Sequence, residues 1–258
     1  MLRAENITLA YEKHTVIRNV SLQVAEGKIT VFIGTNGCGK STLLKALARQ
    51  LKPAQGRVTL NGENVLHYPG KKFAKQLAML AQSPNVPEGI SAHQLVRYGR
   101  YPHQRLTAGW QPEDDAAVAD ALALTQTGML AERAVNTLSG GQRQRVWIAM
   151  ALAQDTPYLL LDEPTTYLDL AYQIDVLELL QKLNRETGKT IVMVLHDLNL
   201  ACRYADEIIA LCNGGVYLQG PPEKVMTEAT VKAVFGLNNK MIADPIYGTP
   251  MCVPYGSR

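Results

Sequence analysis

The sequence predicts an α/β fold in one domain, a layered core with a smaller subdomain beside it, and three observations carry that prediction. The apolar run 29–33 leads into Gly34-Thr35-Asn36-Gly37-Cys38-Gly39-Lys40-Ser41-Thr42 and then into the helical-looking stretch 43–48. This is G-x-x-x-x-G-K-[ST] in the strand–loop–helix setting where it has physical meaning. A second apolar strand, Tyr158-Leu159-Leu160-Leu161, ends in Asp162-Glu163. A length of 258 residues is enough for one such domain with a real core and argues against two independent ones.

Residues 2–9 and 16–24 alternate apolar and polar positions, and Gly56-Arg57-Val58-Thr59-Leu60-Asn61-Gly62 reads as a further short strand between turns. Together they predict a small antiparallel sheet before and after the glycine-rich loop. Tyr11 falls between the first two strands, where its ring is either a stacking surface for a base or a turn residue. Residues 76–81 read as a short buried strand, with Gln82 at its end and the breaker-rich Ser83-Pro84-Asn85-Val86-Pro87-Glu88-Gly89 behind it. From there to about residue 155 the pattern is helical, and 116–124 has apolar residues at core-packing spacing. Leu138-Ser139-Gly140-Gly141-Gln142 opens the next helix, as an N-cap or as a second anion site. Beyond the 158–161 strand, an amphipathic helix is predicted around 172–183 and a strand over 190–195, ending in His196-Asp197. The tail suggests a strand at 216–219, helices at 222–226 and 228–235, and a Pro/Tyr-rich end without a clear pattern.

Composition narrows the function classes. Hydrophobic residues make up 47 % and charged residues 19 %, as in a globular chain. A net charge of +3 gives no footing for nucleic acid, and the densest basic group, Lys71, Lys72 and Lys75, reads as a solvated helix face. Four cysteines without C-x-x-C spacing suggest neither a zinc site nor a thioredoxin-like pair, and fit a reduced intracellular chain. The N-terminus lacks the apolar segment of a signal peptide, and no apolar run is long enough to cross a bilayer, so a membrane role is expected to come through a partner.

The chemistry lies in the loops. Glycines let the loop at 34–42 turn tightly and aim successive N–H groups inward, while the following helix adds its positive end. Lys40 is placed to reach the β- and γ-phosphates of a nucleotide, Ser41 to ligate Mg²⁺ and Thr42 to donate to the α-phosphate. Cys38, inside the loop, reads as a small filler residue. Asp162 suits Mg²⁺ through a water, and Glu163 suits polarising or deprotonating an attacking water. His196 alone at a strand end is read as structural or catalytic.

The order of these features resembles the ATP-binding cassette (ABC) ATPases over nearly the whole chain. The matching residues are Tyr11, the loop Gly34 to Thr42, Gln82, the signature Leu138 to Gln142, Asp162-Glu163, Tyr167-Leu168-Asp169 and His196. The resemblance implies a P-loop cassette with a RecA-like core and β-subdomain (1–82 and 156–258) and an inserted helical subdomain (83–155). It implies a head-to-tail dimer sandwiching two ATPs, the loop of Gly34, Asn36, Gly37, Cys38, Gly39 and Lys40 facing Ser139, Gly140, Gly141 and Gln142 of the other copy. By the same resemblance Tyr11 stacks on adenine, Gln82 senses Mg²⁺ and water and links the site to a membrane partner, His196 contacts the γ-phosphate and Glu163 is the general base. Thr35, where many relatives have proline, and Thr166-Tyr167, where many have serine and a small residue, depart from the family pattern.

Residues 87–91 and 95–103, together with 196–206, are similar to cassettes that drive uptake of iron chelates (ferric siderophores, ferric citrate) and vitamin B12. That likeness implies a polytopic permease, a separate periplasmic or surface binding protein, and a location on the cytoplasmic face of the cell membrane. Vitamin B12 or haem import, or a soluble ABC ATPase without transport, are the alternatives. The stretch from Gln82 to about Pro102 is expected to receive a short helix of the permease, so that charge or bulk at Tyr98 or Gly99 uncouples transport from hydrolysis.

Overall fold

A computed structural model describes residues 1–12, 14–82, 89–104 and 109–257. The breaker-rich turn expected at 83–88 lies outside the described residues. The chain forms two compact units, Met1–His67 with Thr190–Arg258, and Tyr68–Lys189.

The first unit opens with β1 (Leu2–Tyr11) and β2 (His14–Gln23), followed by β3 (Ile29–Ile33), helix α1 (Lys40–Leu47), β4 (Gln55–Leu60) and β5 (Glu63–Asn64). Strands β2-β1-β4-β5 make the antiparallel sheet that the alternating pattern predicts. On β1, Leu2, Ala4, Ile7 and Leu9 are buried while Arg3 and Asn6 face water, the period of a half-buried strand.

The second unit contains α2 (Gly70–Ala74), β6 (Leu77–Leu80), α3 (Ala92–Tyr98), α4 (Pro112–Leu124), α5 (Gly140–Ala153), β7 (Tyr158–Leu161) and α6 (Leu170–Thr187). Strands β6 and β7 run parallel with Leu80 opposite Leu161, and α5 packs on α3, α4 and β6. Helix α4 starts with Pro112 in its first turn and buries Val118, Ala121 and Leu122, the core packing expected of this segment. A buried ion pair, Arg100 to Asp114 at 2.9 Å, is completed by Arg100 donating to the Ala153 carbonyl at 2.7 Å. Burial pushes the Asp114 carboxyl up, but the Arg100 hydrogen bond, the Gln111 backbone N–H and the charges of Arg100 and His103 together hold it below its usual range.

The chain then returns to the first unit with β8 (Thr190–Val194), α7 (Leu198–Tyr204), β9 (Glu207–Cys212), β10 (Gly215–Gly220), α8 (Pro222–Val225), α9 (Glu228–Phe235), β11 (Leu237–Ala243) and β12 (Pro250–Ser257). Strand β3 lies between β8 and β9, parallel to both, and β10 is antiparallel to β9. Every residue of β3 and β8 is buried, so these strands read as continuous apolar runs and not as alternating ones. Strands β9, β11 and β12 and helix α7 have no counterpart in the sequence-based expectations, and β11–β12 is an antiparallel hairpin where the Pro/Tyr-rich tail was.

Candidate functional site

In the first unit the glycine-rich loop joins the end of β3 to α1. Gly39 is the N-cap of α1 with φ 103°, a left-handed geometry that glycine adopts without strain. A Cβ at that position would lie 2.5 Å from Ile17 Cδ1, so the loop is seated against β2 with no room for a side chain. Helix α1 has no side-chain cap and no acidic residue in its first turn, so no carboxylate offsets its positive dipole end, which favours an anion. By contrast, Ser139, Asp169, Asp197 and Thr227 all cap their own helices.

Lys40 is buried, and its ammonium donates to the loop carbonyls of Gly34 at 2.9 Å and Thr35 at 3.0 Å. An ammonium has three donors, so the head is held against the loop with a donor to spare for a phosphate oxygen. Thr35, Asn36 and Gly37 are exposed, whereas Cys38 is buried and its thiol is raised by burial, with Lys40 pulling the other way. This is the small filler residue expected there. His196 follows the end of β8, and Leu195 N–H donates to the Phe32 carbonyl at 3.2 Å. The histidine and the loop therefore share one edge, at the C-terminal ends of neighbouring parallel strands, where α/β folds place ligand chemistry. Tyr11 stands at the end of β1 opposite His14, 46 % exposed.

In the second unit Gln82, Asp162 and Glu163 come together beyond the paired ends of β6 and β7. Asp162 is buried, and its N–H donates to the Leu80 carbonyl at 2.9 Å. Glu163 has φ 53°, a conformation uncommon outside glycine. Its Oε2 accepts from Gln82 Nε2 at 2.5 Å and from Thr166 Oγ1 at 2.9 Å. Thr166 is a partner that the sequence-based reading assigned no role; its place three residues after Glu163, in a turn closed by Thr166 N–H on the Glu163 carbonyl, was the available signal.

The signature start is a capping box. Ser139 Oγ accepts from Gln142 N–H at 3.3 Å, and Gln142 Oε1 accepts from Ser139 N–H at 3.2 Å. The structure thus realises the N-cap reading, and a serine hydroxyl in this role still has its proton to donate. Gly141 lies under the ring of Tyr172, where a Cβ would be 3.0 Å from Tyr172 Cγ and Cδ1, and Gly140 lies beside Tyr167 and Leu168. The signature turn and the 167–169 loop are therefore neighbours, and Tyr172, at the start of α6, is the packing residue between them.

The ABC transporter family pattern matches residues 17–166, and the chain belongs to that family. Within it, the chain is an ATP-binding subunit, an ATPase with the ABC cassette fold. It is 55 % identical over 255 residues to the achromobactin transport ATP-binding protein CbrD of Dickeya dadantii, covering 99 % of this chain and 95 % of that one. It is 51 % identical to the ferric enterobactin transport ATP-binding protein FepC of Escherichia coli, covering 99 % and 94 %. Among solved structures, a metal-chelate type ABC transporter in an inward-facing conformation matches with TM-score 0.85 and 29 % identity over 99 % of this chain and 97 % of that one. A dimeric post-hydrolysis state of the cassette MJ0796 bound to ADP and Pi matches with TM-score 0.76 and 31 % identity, over 86 % and 98 %. Importer ATP-binding subunits of this kind dimerise and work with a membrane permease. No helix among the described residues is long and apolar enough to cross a membrane.

Proposed function

We propose that this chain hydrolyses ATP to energise uptake of an iron chelate, a ferric siderophore or ferric citrate, from the cytoplasmic face of the cell membrane. The observation that carries the substrate class is the end-to-end identity to transport ATP-binding proteins named for achromobactin and ferric enterobactin. Nothing in the chain needs to touch the metal. The chelate is handed by a binding protein to the permease, and the cassettes drive the permease as a head-to-tail homodimer.

In this reading the catalytic core comprises 1–82 and 156–258, with the helical subdomain over 83–155. Lys40 and the N-terminus of α1 hold the polyphosphate, Thr42 donates to it, and Tyr11 offers its ring to the base. Glu163, fixed by Gln82 and Thr166, orients and deprotonates the attacking water, and His196 donates to the γ-phosphate. Ser139, Gly140, Gly141 and Gln142 face the nucleotide held by the other copy. Hard oxygen donors at Ser41 and Asp162, with the Gln82 carbonyl, fit Mg²⁺, which is held by one or two protein ligands together with substrate phosphates. Bound there, Mg²⁺ neutralises charge on the phosphates. The buried Asp162 beside Glu163 is consistent with that donor set.

The test is transport in sealed vesicles containing the permease, its binding protein and this chain, with radioiron-labelled ferric siderophores and ferric citrate. ATP-dependent uptake of a ferric chelate, abolished by Lys40→Ala, is expected. ATP-dependent movement of cobalamin or haem with no ferric chelate transported would overturn the substrate, and ATP turnover without any permease association would overturn the transport role.

A further inference from the structure

The β11–β12 hairpin has no part in the roles above, and it is fastened to α7, the helix that starts two residues after His196. Helix α7 has seven residues, too few to hold its own geometry in water, where helices shorter than about 12 residues are marginal. Its orientation is therefore set by what grips it. At its N-terminus Asp197 accepts from the N–H groups of Asn199 and Leu200 at 2.8 and 2.9 Å. Within the first turn, the Asn199 side chain makes a reciprocal pair with the main chain of Cys252 in β12, accepting from its N–H at 2.8 Å and donating to its carbonyl at 3.3 Å. Towards the far end, Arg203 donates to Asp244 at 2.8 Å, and its guanidinium lies 4.2 Å from the centre of the Tyr247 ring. Between these two pins Ala201 and Cys202 are buried, and burial, with Cys252 close by, pushes the Cys202 thiol up to about 12.

The hairpin is itself anchored. Asn239 donates to the Glu228 carbonyl at 3.1 Å, and Lys240 pairs with the Glu228 carboxylate at 3.0 Å, which ties β11 to α9. Its tip is closed by the Asp244 N–H on the Thr249 carbonyl and the Gly248 N–H on the Asp244 carbonyl, each at 2.8 Å. On the other side of His196, Leu195 is fixed to β3. His196 thus stands between a strand end bonded to β3 and a short helix held at two points by the hairpin.

We infer that the β11–β12 hairpin is a clamp that sets the position of His196 through α7, with Asn199 and Arg203 as positioning residues for ATP hydrolysis. The inference rests on the reading that His196 acts on the γ-phosphate. Asn199 touches no reacting group; its side chain replaces, for the Cys252 N–H and carbonyl, the neighbour strand that the hairpin edge lacks there. Losing it frees the first turn of α7, and with it the residue two positions before the helix starts. Displacement of a reacting group by about 1 Å is enough to cost about 100-fold in rate.

The experiment is a double-mutant cycle in the full-length chain, reading steady-state ATP turnover, binding of a fluorescent ATP analogue, and the melting temperature. Asn199→Ala is expected to lower kcat by about 10- to 100-fold while KM for ATP and analogue affinity stay within about twofold. Asp244→Asn, which weakens the second pin without removing side-chain volume, is expected to lower kcat in the same direction by a smaller factor. In a His196→Ala background neither substitution should reduce turnover further. Independent, multiplicative losses in that background would overturn the clamp, as would unchanged kcat in the pin variants. Should Asn199→Ala not fold, the Asp244→Asn cycle decides alone. If His196→Ala leaves turnover intact, the role of His196 falls and the clamp with it; if His196→Ala is impaired but the losses multiply, only the clamp falls.

Discussion

The Gln82 side-chain amide donates to Glu163 Oε2 at 2.5 Å, so the residues that follow β6 and β7 by two positions share one hydrogen bond. The same oxygen accepts from Thr166 Oγ1. Two donors on one carboxylate oxygen fix the direction of the Glu163 side chain. Glu163→Gln keeps the size of the side chain and removes the carboxylate proposed as the base. Turnover is expected to fall about 10²- to 10⁴-fold with ATP binding retained, as phosphate release and analogue titration would register. Equal loss of binding and turnover would count against the role of Glu163.

At the glycine-rich loop, two glycines separate two physical effects. Gly37→Ala meets nothing within 4 Å and has only its positive φ of 78° to contend with, whereas Gly39→Ala combines a φ of 103° with a 2.5 Å approach to Ile17. Backbone strain of this kind costs about 1–3 kcal/mol. Gly39→Ala is therefore expected to lower the melting temperature and to weaken ATP binding more than Gly37→Ala. Equal effects would mean that the contact with Ile17 relaxes freely.

Substitution at Tyr98 and at Gly99, expected from the sequence to uncouple transport alike, separates in the structure. A Cβ on Gly99 would stand 2.1 Å from the Met150 carbonyl of α5, so even alanine forces the two helices apart. Gly99→Ala is expected to destabilise the chain by about 1–3 kcal/mol and to lower hydrolysis and transport together, by urea denaturation and paired assays. Tyr98, 60 % exposed, lines a cavity of about 530 Å³ with Ile90, Arg97 and Trp110, where the Arg97 guanidinium lies 3.8 Å from the Trp110 ring. Tyr98→Glu is expected to lower uptake in vesicles while ATP turnover by the isolated chain stays within about twofold.

Asp244 gives a pH signature. The Arg203 hydrogen bond, with the N–H groups of Ile246 and Tyr247, holds its carboxyl down at about 2 against an ordinary 3.8. The unfolded chain therefore takes up this proton more readily than the folded one. The stabilisation is fully present above about pH 4 and disappears as pH falls toward 2. Denaturation midpoints measured down this window should fall less steeply in Asp244→Asn than in the wild type, and parallel curves would refute the assignment.

The parts of the fold written in local pattern are legible in the sequence. The apolar run into Gly34, the alternation in β1 and β2, and Tyr158 to Leu161 each carry their own signal, and the strands stand where those signals put them. Helix α6 starts at Leu170, earlier than its amphipathic pattern suggests, because Asp169 caps it. The hairpin was not legible. Pro250 and Pro254 weaken the strand signal of β12, and the bonds that order it come from Asn199, about 50 positions away in sequence. Site residues named by motif were easier to find than those named by contact: Thr166, Tyr172 and Ile17 support the loops from outside any motif.

The reciprocal bonds between Ser139 and Gln142 have a consequence for how two copies meet. In the proposed head-to-tail pair, a turn whose Ser139 and Gln142 N–H groups are already bonded would meet the nucleotide with its shape settled, and no segment would have to freeze at the moment of contact. Closure of such a pair would then behave as the meeting of two finished surfaces, quick to form and quick to part once the phosphate is gone, which suits a machine that must reset after every cycle.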